Sequence, residues 1–339
     1  MNIALIVGGI SSEREVSLTS GMAILKALRE NGHNVKVIDP IFGEKEILED
    51  IIFKNLVSTE YPTYDAMEKL LIESRRKVID CINSWLFDNI DIAFIGLHGK
   101  YGEDGRIQSL LDLRGIKYTG SDILSSAIAM DKNISKMIFK NFDIPTADWI
   151  VMTKKDKIDV KNILRRISLP FVIKPNDEGS TVGLTIVKNE SEIKNAIDLA
   201  FKYTDKIMIE KYIKGREITV SIVGDVAYPL IEIKPKDGFY DYHHKYTKGM
   251  TEYICPAEVK DEVSVKAQEN ALKAYHSLGC SVYSRVDFLL DDNDDLHCLE
   301  VNTLPGMTEL SLVPKAVKAK GMEFNELIEN IIGFSLKNF

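Results

Sequence analysis

Asp287, Glu300 and Asn302 are the residues whose types and spacing say most about chemistry. Residues 282–290 alternate, with Val286, Phe288 and Leu290 on one side and Arg285, Asp287 and Leu289 on the other. Residues 296–302 alternate too, with Leu299 and Val301 on one face and Glu300 and Asn302 on the opposite one. The connector 291–295 consists of turn formers, so the two runs read as a hairpin. With Asn293-Asp294 as a two-residue turn, counting outward sets Asp287 opposite Glu300 and Arg285 opposite Asn302. Two carboxylates facing each other repel. A divalent cation reverses that sign, and two carboxylates with an amide suit Mg²⁺. A solvated acidic face is the alternative that these residues alone leave open.

A second candidate is the small-residue loop Glu178-Gly179-Ser180-Thr181-Val182-Gly183. Its glycines permit close backbone approach, and successive N–H groups can cradle phosphate oxygens. Lys174 on the preceding strand adds a cation. Taken alone, such a loop is more often a plain hairpin turn. The chain has no Walker A motif and no GxGxxG after its first strand, so a nucleotide must be held in another way. The run Ile209-Glu210-Lys211-Tyr212-Ile213 reads either as an ordinary strand end or as a hinge offering backbone groups to adenine.

These candidates need elements to position them. The first part of the chain alternates strands (3–7, 35–38, 92–97) with amphipathic helices (17–30, about 65–87). Met67, Leu70, Leu71, Val78, Ile82 and Trp85 share one face of the second helix. Such alternation implies a parallel sheet flanked by helices. Residues 40–64 read as an irregular or partly helical insertion. A helical pattern covers 121–142 and stops at Ile144-Pro145. Strands near 150–151, 171–174, 184–187 and 207–210 with a helix at 191–201 form an α+β block. The last block has strands near 217–223, 227–233, 281–290 and 296–301 and helices near 264–278 and 324–332.

Composition excludes several classes. The chain has 339 residues, 45% apolar and 28% charged, enough for two or three domains with real cores. Its net charge of −8 and lack of a long basic stretch argue against nucleic acid or an anionic membrane as partner. No apolar run approaches membrane-spanning length, and the apolar start reads as a first strand rather than a signal peptide. Cys81, Cys255, Cys280 and Cys298 are widely spaced and read as free thiols of a reducing cytosol, and no zinc pattern is present.

Together, Lys132, Lys174, the loop 178–183, Glu210, Glu217, Asp287, Glu300 and Asn302 resemble the ATP-grasp enzymes. More narrowly, the chain resembles the D-alanine:D-alanine ligases. The matching stretches are GGISSEREVSLTSG (8–21), LHGKYGEDGRIQ (97–108), YTGSDILSSAIAMDK (118–132), IKPNDEGSTVG (173–183), FYDYHHKY (239–246), SRVDF (284–288) and EVNTLPGMTELSLVP (300–314). They span the chain in the family's order. The resemblance implies an α/β, three-domain ATP-grasp architecture. Residues 1–130 would form an N-terminal α/β substrate domain. Residues 131–214 would form the central ATP-grasp domain with the phosphate loop, and 215–339 the C-terminal one with the metal and substrate site.

It also implies the activity: ATP phosphorylates the carboxylate of one D-alanine, and the amine of a second attacks the acyl phosphate, for cell-wall precursor synthesis. Asp287, Glu300 and Asn302 would hold Mg²⁺, two ions in all, with Mn²⁺ as a substitute. Lys132, Lys174, Glu178, Gly179, Ser180, Glu210, Lys211, Tyr212, Ile213, Glu217 and Lys245 would serve ATP. Arg285 and the Gly306 N–H would form an oxyanion hole. Glu13 would hold the first ammonium with His98 nearby, and Ser311 and Leu312 would meet the second D-alanine. Glu13, Ser180 and Tyr246 would form a hydrogen-bonded trio on closure. A cytoplasmic homodimer is the family's common form. Without the resemblance, Glu13 reads as a helix-end partner, His98 as a structural residue and Tyr246 as packing.

His243-His244, Asp177 and Leu304 depart from the family's usual residues, and the insertion at 40–90 is expected to lie away from the site. Two rival readings follow: a sister ligase making D-Ala-D-Lac or D-Ala-D-Ser, and a nucleotide-binding relative without catalysis.

Overall fold

A computed structural model of the chain describes residues 1–54, 63–236 and 249–339. Three sheets organise it. In the first, β1 (Asn2–Ile6) is flanked by β2 (Asn34–Ile38) and β3 (Ile92–Ile95), all parallel. Ile3 to Ile6 and Ile92 to Ile95 are all buried, as expected of parallel strands covered on both faces. The loops after β1 and β3 leave the same, carboxyl end of this sheet, where open α/β sheets bind ligands. Gly8 and Gly9 take positive φ there, turning the chain into the helix Arg14–Glu30.

The second sheet is antiparallel, in the order β4 (Trp149–Thr153), β7 (Lys206–Lys211), β5 (Phe171–Pro175), β6 (Thr185–Val187). It has its own core, with Phe171, Ile173 and Ile209 packed on Ile193 and Ile197 of the helix Ile193–Ala200. The third sheet runs β11 (Thr251–Ile254), β10 (Ile231–Pro235), β8 (Gly215–Val223), β12 (Tyr283–Asp291), β13 (Leu296–Asn302), with β9 (Val226–Ala227) on β8. Its inner face packs on the helix Asp261–Ser277. A continuous core also joins the first sheet to Val313, Leu327 and Ile331 of the C-terminal helices.

The expected hairpin forms, but by a different count. The loop holds three residues, with Asp291 N–H on the Asp295 carbonyl at 3.0 Å and Asp294 at φ 63°. That displaces the pairing by one near the turn, giving Phe288↔Cys298. A bulge at Leu299 then restores the offset, so Asp287 faces Glu300 and Arg285 faces Asn302. Val301 therefore shares the core with Cys298 and Leu296, rather than with Leu299.

The continuous helical pattern 121–142 is two helices, Ile123–Met130 and Lys132–Asn141. Asp131 separates them, because its carboxylate caps Ile134 N–H and pairs with Lys206 of β7 at 2.8 Å. The second long helix ends earlier than expected, at Asn83, and Trp85 is 53% exposed rather than on its buried face. The stretch 40–64 includes the short helix Glu49–Ile52. The helices Arg106–Leu113 and Leu312–Lys318 and strand β11 were too short or too irregular in pattern to be anticipated.

Candidate active site

A cleft of about 560 Å³ opens where the three sheets meet. It is lined by Glu13, His98, Lys132, Glu178, Gly179, Ser180, Arg285, Glu300, Asn302, Gly306, Ser311 and Leu312, all anticipated from sequence. Lys174, Glu210, Lys211, Tyr212, Ile213, Glu217 and Asp287 do not line it. Lys245, Tyr246 and the pair His243-His244 lie outside the described residues.

Asp287 is 5% exposed, and both its oxygens are engaged. Thr219 donates to Oδ1 at 2.6 Å, Arg285 donates Nε and Nη2 at 2.9 and 2.8 Å, and Asn302 donates Nδ2 at 2.9 Å. Glu300 pairs with Lys132 at 3.0 Å. The facing carboxylates are thus neutralised by this chain's own cations, which offsets the repulsion expected of them. Glu217 and Thr219 on β8 face Leu289 and Asp287. Among the described residues no group of three His, Cys, Asp or Glu could hold a metal ion. The donor set is two carboxylates plus one amide, all oxygen, which fits a hard divalent cation.

Glu13 occupies the position just before the helix Arg14–Glu30 but makes no capping bond. Instead its carboxylate accepts a hydrogen bond from Ser180 Oγ, and its oxygens fill the space beside Gly99 and Gly179, where a Cβ would come within 2.7 and 2.8 Å. The Glu13 side chain therefore does not cap this helix, and two of the three residues of the expected trio are joined. His98 uses both ring nitrogens, Nδ1 with the Leu304 carbonyl at 2.8 Å and Nε2 with Ser20 Oγ at 3.0 Å. Burial works against its protonation, but Glu103 and Glu13 outweigh burial and raise its pKa. Glu103, which stands in the family-like stretch 97–108 but has no chemical signature of its own in sequence, lines the cleft and lies 3.7 Å from His98. Burial raises its pKa as well, against the pull of His98.

The loop 178–183 carries Ser180 and Thr181 at φ 46° and 65°, a left-handed backbone unusual for residues with side chains. Lys132 donates to the Glu178 carbonyl at 2.7 Å. Burial works against the Lys132 charge, but Glu300 outweighs burial and raises its pKa. The Glu178 carboxylate pairs with Lys100 at 2.6 Å, and burial raises its pKa to about 7.

Lys174 and Glu210 meet in a buried triad with Lys136, a residue the sequence did not single out. Lys174 Nζ lies 2.6 Å from Glu210, and Lys136 also donates to Thr146 at 2.6 Å. Burial disfavours the Glu210 charge, yet the two ammonium groups hold its pKa down to about 2. Burial lowers Lys136, because one carboxylate is shared between two cations. The N–H groups of Lys211 and Tyr212 bond to the Asp148 and Pro170 carbonyls. At the other end of the cleft, Ser311 Oγ accepts from Thr308 N–H at 3.0 Å, at the start of the helix Leu312–Lys318. The 40–90 insertion comes nearer the site than expected: Val78 lines a small cavity together with His98 and Lys100.

Two family models match the chain, described as D-ala D-ala ligase N-terminus over residues 2–121 and D-ala D-ala ligase C-terminus over 138–333. A D-alanine–D-alanine ligase of Halalkalibacterium halodurans is 40% identical, with 99% of this chain and 100% of that protein covered. The crystal structure of the D-alanine–D-alanine ligase from Bacillus anthracis complexed with ATP superposes with TM-score 0.77 at 35% identity, covering 100% of this chain and 98% of the other. A D-Ala:D-Ser ligase from Enterococcus faecalis superposes with TM-score 0.81 at 29% identity, covering 98% and 99%.

Proposed function

The chain belongs to the D-alanine–D-alanine ligase family, and we propose that the cleft between its three sheets is where ATP drives the joining of two D-alanine molecules. One observation carries this reading: a single cleft gathers an anion for an ammonium (Glu13), cations for phosphate and oxyanion (Lys132, Arg285) and an oxygen-ligand hairpin (Glu300, Asn302). The product is the dipeptide used in cell-wall precursor synthesis.

The γ-phosphoryl group passes to a carboxylate oxygen of the first D-alanine, whose ammonium Glu13 holds. The amine of the second D-alanine then attacks the acyl carbon, the C–O bond to phosphate breaks, and dipeptide, ADP and phosphate leave. Arg285 and the Gly306 N–H stabilise the oxyanion that develops during attack. Ser311 and Leu312 meet the second D-alanine, with Ser311 at its carboxylate. Lys132, Lys174 and Lys245 offset phosphate charge, and Glu178, Gly179 and Ser180 close over the phosphates and exclude water. Lys211, Tyr212 and Ile213 border the adenine, next to Glu210, which its lysines hold, and Glu217 also serves the nucleotide. Tyr246 completes the Glu13–Ser180 pair. Asp287, Glu300 and Asn302 would hold Mg²⁺ or Mn²⁺, two ions in all, which would supply positive charge to offset that of the phosphates.

The division into units 1–130, 131–214 and 215–339, a homodimeric state and a cytoplasmic setting belong to the same reading. No helix among the described residues is long and apolar enough to cross a membrane. The test is product analysis with purified protein, ATP and D-alanine, offering D-lactate, D-serine or L-alanine as competitor. Dipeptide from D-alanine alone, one per ADP, is expected. Preferential use of D-lactate or D-serine would move the chain to a sister specificity. ATP turnover with none of these substrates would remove the ligase reading.

A further inference from the structure

Lys100, in the loop that follows β3, has no role in the chemistry above, and it does not line the main cleft. Its ammonium group nevertheless bridges two parts of the molecule. Nζ lies 2.6 Å from Glu178 Oε1 and 3.2 Å from Asp177 Oδ2, and it donates to the Tyr203 carbonyl at 3.3 Å. Three acceptors match the three donors of an ammonium group. Asp177 is itself held by Thr204 Oγ1 at 2.7 Å. Tyr203 and Thr204 stand just before β7, so Lys100 ties the first sheet to both the start of the phosphate loop and the base of the second sheet.

The loop needs such a tie. Ser180 and Thr181 hold a left-handed backbone that is unfavourable for residues with side chains, so other contacts must hold the closed shape. Among the described residues, side chains from outside the loop do so: Glu13 at Ser180, Lys132 at the Glu178 carbonyl, Thr204 at Asp177, and Lys100 at the Asp177 and Glu178 carboxylates. Glu13 and Lys132 face the cleft, and Lys100 does not. Lys100 also loses much of its hydration, and its pKa is raised because Glu178 and Asp177 outweigh the burial.

We propose that Lys100 is a positioning residue, the latch that keeps the 177–183 loop closed over the acyl phosphate. The inference rests on the ligase reading for its consequence, but not for its geometry. With the latch released, water reaches the acyl carbon. Its oxygen adds there, the C–O bond to phosphate breaks, and D-alanine, inorganic phosphate and a proton are set free. ATP is then spent without a dipeptide.

Lys100→Met keeps the aliphatic length and removes the charge. Charge-assisted hydrogen bonds of this kind correspond to about 10-fold or more in a closing equilibrium. Amide exchange of residues 177–183 in the free protein should therefore quicken by about 10-fold, with β1 and β5 unchanged. ADP released per dipeptide should rise from one to several. Lys100→Arg should restore both readouts to within about 2-fold, and Asp177→Asn should move both in the same direction by less. Wild-type values for either readout in Lys100→Met overturn the latch. The exchange measurement needs no substrate, so it judges the latch even where product analysis rejects the ligase reading, and that rejection would itself show in the wild-type protein.

Discussion

Glu210→Gln isolates the buried charge triad. Glu210 is 4% exposed, with Lys136 and Lys174 as its two cationic partners, both buried. A carboxyl held at about 2 instead of its ordinary 4.5 corresponds to about 3 kcal/mol of folded-state stabilisation at neutral pH. The glutamine keeps the shape but leaves two ammonium groups with no counter-charge, a change that costs roughly 3–5 kcal/mol in buried sites. Burial already lowers the Lys136 pKa, so this lysine can shed its proton and hold the loss near the lower figure. We therefore expect about 3 kcal/mol of destabilisation at pH 7. Urea denaturation followed by Trp149 fluorescence reads it locally, because Lys136 Nζ stands 5.1 Å from that ring. The sign with pH follows from the lowered pKa: the wild-type advantage is full above pH 4.5 and fades as pH falls toward 2. A loss below about 1 kcal/mol at pH 7, or an advantage that grows on acidification, would refute the triad as a stabilising unit.

Asp287→Asn and Glu300→Gln should each slow dipeptide formation by roughly 100-fold or more, comparable to losing a preorganised charge contact in an active site, with little change in circular dichroism. Near-normal rates in both variants would remove the cation assignment. Glu178→Gln tests the loop from another side. The Glu178 pKa is raised to about 7 by burial, so the closed loop holds this proton more tightly than the open chain does. Its contribution is full below pH 4.5 and lost as pH rises through 7. Wild-type thermal stability should therefore fall, relative to Glu178→Gln, between pH 5 and pH 8, and parallel curves would contradict it.

Much of the site was legible because alternation and register are local properties. The facing of Asp287 and Glu300 follows from the offset of two strands, and two departures cancel: a longer turn shifts the pairing and the Leu299 bulge restores it. Neither leaves a mark in a pattern of apolar and polar residues. The break at Asp131 was hidden for a related reason, since the partner that fixes it, Lys206, lies 75 residues away. Lys136, Thr219 and Lys100 were not singled out because their roles exist only through distant carboxylates. Glu13 shows the reverse: local reasoning assigns it to its helix end, and the fold assigns it to Ser180 across 167 residues.

The central claim is that this cleft activates a D-alanine carboxylate by phosphorylation before the peptide bond forms. D-alanine labelled with ¹⁸O in its carboxylate tests it most directly, with ³¹P NMR of the phosphate released. The mechanism predicts one ¹⁸O in phosphate for every dipeptide made, because the oxygen bonded to phosphorus leaves with it. Unlabelled phosphate alongside full dipeptide yield would contradict it.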